Sequence, residues 1–96
     1  MVRAARRVPL NLGQVVATPA ALDAVSAAND SVLGYLVRHC SGDWGDVDAE
    51  DGKANDDATW DGGRVLSVYK LKSGETIWII TEADRSVTTV LLPSDY

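Results

Sequence analysis

The run Thr76-Ile77-Trp78-Ile79-Ile80-Thr81 constrains this chain more than any other segment, because it is apolar on both alternating faces. A β-strand sends successive side chains to opposite sides of its sheet, so such a run must be covered on both sides. It follows a hairpin signal, Lys72-Ser73-Gly74-Glu75, and precedes a second turn, Ala83-Asp84-Arg85-Ser86. Val65-Leu66-Ser67-Val68-Tyr69 before it and Val87 to Leu92 after it have strand composition, and Pro93 ends the last run. The expectation is a three-stranded antiparallel meander with Thr76–Glu82 in the centre. Helices or a partner must then cover its second face.

Ahead of Gly62-Gly63 the pattern is helical. Thr18-Pro19 offers a hydroxyl cap followed by proline at the first helical position, where its missing N–H costs nothing. Ala21, Leu22, Val25 and Ala28 then share one face. Asn29-Asp30-Ser31 interrupts, and Asp30 or Ser31 can cap a second run from Val32 to His39 that Gly42 is placed to end. From Val47 to about Trp60, Val47, Asp51, Ala54 and Ala58 fall at helical spacing. Gly52 and the surrounding acids weaken this third helix, so contacts must hold it. The fold class expected is α+β, with two to three N-terminal helices packed on a C-terminal three-stranded antiparallel meander. Residues 1–9, with Arg3, Arg6 and Arg7, read as a flexible basic arm ending at Pro9, and residues 10–96 as a single α+β domain. Leu10, Leu12, Val15 and Val16 are apolar enough to lie on the domain as an extended segment or short strand.

Ninety-six residues suffice for one domain with a thin core, and the 46% apolar content excludes a chain too polar to fold. Phe is absent, so three Trp and three Tyr supply the bulky aromatic packing. The sole cysteine, Cys40, excludes an internal disulfide and any multi-cysteine metal site. Val8 to Val16 is broken by Pro9, Asn11, Gly13 and Gln14, so no secretory apolar region follows the basic start. No apolar stretch approaches the length of a membrane span. A cytoplasmic location is expected.

The net charge is −5, and its placement matters more than its size. Between Asp43 and Asp61 lie eight acids (Asp43, Asp46, Asp48, Glu50, Asp51, Asp56, Asp57 and Asp61) and one base, Lys53. Direct DNA binding is not expected from such a field. The same acids can imitate the phosphates of a nucleic acid and occupy the cationic groove of a protein that handles one, or they form a solvated face. Trp44 and Trp60 bracket the stretch, either as partner anchors or as residues pinning a weak helix to the sheet.

His39 is the only histidine, and Asp43 and Asp46 are near it in sequence. It can serve as a general acid or base, or as a helix-end histidine held by nearby carbonyls. Glu82, Asp84, Arg85, Ser86, Thr88 and Thr89 cluster at the second turn. They can hold a phosphate, or form a turn in which Asp84 bonds its own backbone and Arg85 pairs with Glu82 or Asp46. If His39, Glu82, Arg64 and Arg85 converge, they make a metal-independent ribonuclease: the carboxylate takes the 2′-hydroxyl proton, imidazole protonates the leaving oxygen, and arginine stabilises the phosphorane. Asp46, Asp48, Glu50 and Asp51 lack the ligand spacing of a calcium loop, and no phosphate-binding or dinucleotide-binding glycine pattern occurs. No metal and no cofactor is expected.

The segment Arg38-His39-Cys40-Ser41-Gly42-Asp43-Trp44-Gly45-Asp46 resembles the R-H-x-x-G-D-W-G-D signature of an uncharacterised family of small proteins. These are carried by proteobacterial plasmids, integrative elements and prophages, and often bear a type I restriction subunit label. Leu12-Gly13-Gln14-Val15-Val16-Ala17-Thr18-Pro19 and the tail from Ile77 to Pro93 are similar to the same family, so the likeness runs from about Asn11 to Tyr96. The chain is too short to hold a methyltransferase domain. The resemblance implies a mobile-element setting, in which small acidic proteins often inhibit host defence as anti-restriction or anti-CRISPR proteins. It implies no catalytic residues. A looser resemblance, helices followed by an antiparallel sheet, is to barnase/RelE-like ribonuclease toxins. The leading expectation is a non-enzymatic mobile-element protein that inhibits a nucleic-acid-handling defence complex. Its contact surface would be Asp43, Trp44, Asp46, Asp48, Glu50, Asp51, Asp56, Asp57, Trp60 and Asp61. The alternatives are the ribonuclease using His39, Glu82, Arg64 and Arg85, and a structural or regulatory homodimer through a sheet edge.

Overall fold

The computed structural model of the chain describes residues 10–96, and the arm expected over residues 1–9 lies outside them. Helix α1 (Pro19–Ala27) starts at the Thr18 cap, whose hydroxyl accepts the Ala21 amide at 3.1 Å. Helix α2 (Val32–Cys40) follows Ser31, whose side chain makes no capping bond; Asp30 instead accepts the Ser31 amide, the Tyr35 hydroxyl and the Lys72 amide. Helix α3 (Ala49–Asp61) is capped by Asp48, which accepts the Asp51 amide at 2.7 Å. It stops at Gly62, whose φ of +87° is a left-handed conformation that glycine adopts without a Cβ penalty.

Four strands follow the order β1-β4-β3-β2: β1 (Gln14–Ala17), β2 (Val65–Lys70), β3 (Thr76–Thr81) and β4 (Val87–Leu91). The fold is α+β, and β2, β3 and β4 pair antiparallel in sequence order. The expected arrangement of N-terminal helices on a three-stranded antiparallel sheet is corrected in two respects. Gln14–Ala17 forms a fourth strand parallel to β4, with Gln14 opposite Val87 and Ala17 opposite Val90, so the sheet is mixed. The three helices consequently lie between strands in the chain rather than ahead of all of them. A parallel pair needs a long crossover, and everything from α1 to β3 supplies it. Both β3 and β4 are interior strands, so β3 does not hold the centre alone.

One face of the sheet carries Ile77 and Ile79 of β3, Val90 of β4 and Tyr69 of β2, all fully buried or nearly so. Against them pack Ala21, Ala24 and Val25 of α1, with Val32, Tyr35 and Leu36 of α2 closing the margin. A second, smaller cluster joins Leu10, Trp44, Ala58 and Val65. The opposite face is only partly covered. Ile80 and Leu91 are buried, whereas Leu66, Val68, Trp78 and Thr89 are half-buried, so Trp78 lies outside the main core. A cleft of about 320 Å³ lies over this face, between α3 (Asp51, Ala54, Asn55) and Leu66, Trp78, Ile80, Arg64 and Tyr96.

Candidate functional site

Helix α3 is nearly all polar, and its packing follows from that. Only Asn55 and Ala58 are buried, so apolar burial holds little of it in place. Directed polar bonds do the rest. The Asn55 side chain donates to the Leu66 carbonyl at 2.7 Å and accepts the Leu66 amide at 3.2 Å. It thereby imitates a neighbouring strand along the outer edge of β2. Trp44 Nε1 donates to Asp56 at 2.9 Å. Arg85, itself left-handed at φ +61°, donates from Nη2 to the Ala58 carbonyl at 2.8 Å and from Nη1 to the Gly63 and Glu82 carbonyls at 2.6 and 3.1 Å.

The loop before α3 covers the same edge. Val68 donates its amide to the Trp44 carbonyl at 3.0 Å and accepts the Asp46 amide at 2.6 Å, with Gly45 bridging Val68 in parallel. An open sheet edge templates aggregation, so this cover has a structural purpose. Gly45 has φ +74°, and a Cβ there would run into the Val68 carbonyl and the Tyr69 ring. The Asp43-Trp44-Gly45-Asp46 motif is therefore an edge cap. Arg38 of α2 braces it, donating to Asp43 at 2.7 Å while its guanidinium lies 4.6 Å from the Tyr69 ring centre. That guanidinium holds the Asp43 carboxyl below its ordinary range.

The acids face outward. Asp43, Asp46, Asp48, Glu50, Asp51, Asp57 and Asp61 are exposed, and Asp56 is half-buried against Trp44. Glu50, Lys53, Asp57, Trp60 and Asp61 recur at helical spacing on one stripe of α3, and Lys53 pairs with Asp57 at 3.0 Å. The two tryptophans separate. Trp60 is 51% exposed, whereas Trp44 is 6% exposed and packs on Leu10, Ala58, Val65 and the edge of the His39 ring. Trp44 is thus removed from the expected contact surface: its indole fills the gap beneath the edge cap.

His39 is fully buried, and its ring fills a polar seam in the covered face of the sheet. Nδ1 lies 2.5 Å from Ser67 Oγ and Nε2 lies 2.9 Å from Thr81 Oγ1. Thr81 Oγ1 in turn lies 2.7 Å from Thr88 Oγ1, which donates to the Leu12 carbonyl at 2.7 Å. The chain has one consistent direction. A carbonyl only accepts, so Thr88 gives its proton to Leu12 and must accept from Thr81. Thr81 then accepts from His39 Nε2–H, which leaves Nδ1 to accept from Ser67. Every polar atom is satisfied in the neutral imidazole, and burial pushes the His39 pKa down to about 4.

The four residues of the ribonuclease arrangement do not form one site. Glu82 and Arg64 meet at 3.4 Å, with Arg64 also donating to the Tyr96 hydroxyl at 2.9 Å, and Arg85 takes the Glu82 carbonyl. His39 is held beneath the other face by hydroxyls of Ser67 and Thr81, with both ring nitrogens occupied and no surface through which a substrate could reach it. The turn residues also separate, because Thr88 joins the buried seam, Thr89 points to the opposite face, and Ser86 bonds Asp84 at 2.6 Å. Among the described residues no group of three or more His, Cys, Asp or Glu is placed to hold a metal ion. Cys40 turns away from the seam and donates to the Leu10 carbonyl at 3.2 Å.

Three structural groups escaped sequence reasoning. Ser67, Thr81 and Thr88 left a signal, as hydroxyls at inward-facing strand positions that demand a buried partner. The Trp44–Asp56 bond and the Asn55–Leu66 clamp left none, because each joins elements whose approach no spacing encodes. No family model, curated protein or solved structure matches the chain.

Proposed function

We propose that this chain is a non-enzymatic interaction protein whose acidic α3 surface occupies the cationic nucleic-acid groove of a host defence complex, of the anti-restriction or anti-CRISPR kind. The observation that carries the proposal is the construction of α3: a 13-residue helix with two buried residues, clamped by Asn55 and Arg85, that presents Glu50, Asp51, Asp57 and Asp61 outward beside the exposed indole of Trp60. A rigid array of carboxylates with an aromatic at its end suits a positively charged groove, steering encounter by charge and anchoring by ring. The family resemblance supports the mobile-element setting. The burial of His39 removes the general acid on which the ribonuclease alternative rests.

The test is the plating efficiency of a sensitive phage on cells that carry a type I restriction or CRISPR system and express this protein. Wild type is expected to raise plating. The triple variant Glu50→Lys, Asp57→Lys, Asp61→Lys is expected to lose that effect while keeping its circular dichroism spectrum, since none of the three residues is buried. Equal protection by the triple variant, or no protection by wild type against any such system, would refute the proposal.

A further inference from the structure

The two edges of the sheet are treated differently. The β2 edge is closed by Asn55 and by the Trp44–Asp46 segment. Among the described residues the β1 edge carries neither cover nor any of the usual protections: Gln14-Val15-Val16-Ala17 contains no charge and no proline, and Val15 and Val16 are 44% and 39% exposed. Gln14 and Thr18 donate their amides to Ser86 and Val90, on the β4 side. By the two-residue period of a strand, the N–H and C=O of Val15 and Ala17 point outward from the sheet.

We propose that this edge pairs with the same edge of a second copy, antiparallel about a two-fold axis at Val16. In that register Val15 and Ala17 exchange four backbone hydrogen bonds with Ala17 and Val15 of the second copy. Val16 then faces its own counterpart as the closer, non-hydrogen-bonded pair. The strand is self-complementary in this way because its two outward-bonding residues flank a central valine.

Charge selects a second copy at this edge. The chain is at −5, and two copies repel wherever their acids meet. Those acids are held at the β2 edge, with β3 and β4 between, about 14 Å away at the usual strand spacing. Residues 10–22 contain no charged side chain. The two carboxylates nearest the ends of β1 are engaged locally: Asp84 accepts from the Ser86 amide and hydroxyl, and Asp95 from the Thr18 hydroxyl and the Leu92 amide. Among the described residues this edge is an uncharged strip, set apart from the acidic α3 surface. Four-residue pairing buries less than the roughly 1,200 Å² of a standard interface, so the dimer is weak and forms with concentration.

Sedimentation equilibrium from about 10 µM to 1 mM spans that regime. The expected result is a reversible monomer–dimer equilibrium whose midpoint Val16→Lys moves at least about tenfold upward by placing like charges opposite each other. In a Cys40→Ser background, Val16→Cys is expected to form an intermolecular disulfide under oxidised glutathione, because non-hydrogen-bonded pairs place Cα atoms at about 4.5 Å, within the disulfide range. Val15→Cys is expected not to link, since it faces Ala17 of the second copy. A monomer throughout the range would overturn the proposal, as would a dimer indifferent to Val16→Lys. Equal linking by Val15→Cys would overturn the register, and slow amide exchange at Val15 in a monomer would assign the edge to the chain's own residues 1–9.

Discussion

Lowering the pH from about 7 to about 4.5 should remove much of the protein's stability through His39 alone. In the unfolded chain its imidazole takes a proton near the ordinary value of about 6.5. In the folded protein burial holds the pKa down to about 4. Between those values the unfolded state binds a proton that the folded state refuses, so stability falls as pH falls and is recovered as pH rises. The full gap corresponds to about 3 kcal/mol, a large share of the about 5–15 kcal/mol typical of a domain. The geometry agrees in direction. A second ring proton at Nδ1 would point at Ser67 Oγ, which already donates there, so Ser67 would have to turn its own proton away from the ring. The acids whose pKa values lie below the ordinary range, Asp30, Asp43, Asp84 and Asp95, contribute stability at higher pH and lose it only as pH falls below about 4.5. The histidine window is therefore separable. Urea titrations followed by tryptophan fluorescence across it should show the loss in wild type. His39→Gln keeps one donor and one acceptor but cannot titrate; it should be less stable near neutrality and nearly flat with pH. A flat wild-type profile, or an equal slope in His39→Gln, would refute the assignment of His39 as a buried neutral strut.

Two further outcomes follow from the edge cap. Asn55→Ala should cost about 2–3 kcal/mol in urea unfolding, because it removes two hydrogen bonds and leaves the Leu66 amide and carbonyl facing a part-buried gap; a loss below about 0.5 kcal/mol would mean that α3 is held by something else. Gly45→Ala should be worse than any neighbouring alanine substitution, since it forces a left-handed alanine into the Val68 carbonyl; a soluble variant with wild-type melting behaviour would refute the parallel bridge at Val68.

Much of the local architecture was legible in the chain, for identifiable reasons. The Thr18-Pro19 start, the stop at Gly62 and the strands around Gly74 follow from caps, backbone preference and period, each set by a few adjacent residues. The acidic character of the α3 surface was equally visible, because eight acids beside a single base cannot be neutralised locally and so stay in water. The two-sided apolar run of β3 required cover on both faces, and tertiary structure met that requirement unevenly, with α1 and α2 on one side and an open cleft on the other.

What only the tertiary structure decided depends on partners far apart in the chain. Val15 and Val16 form a strand because β4 offers a ladder more than seventy residues away, as the pairing of Gln14 with Val87 shows. His39 is a strut rather than an acid–base group because Ser67 and Thr81 stand on the face it enters. Trp44 and Trp60 look alike in sequence, yet one is buried under an edge cap and the other is exposed. Composition and period determine which segments become helix and strand, since those choices cost energy residue by residue. Which polar side chain ends up buried and which stays in water is settled by the complementary hydrogen bonds that the assembled sheet provides.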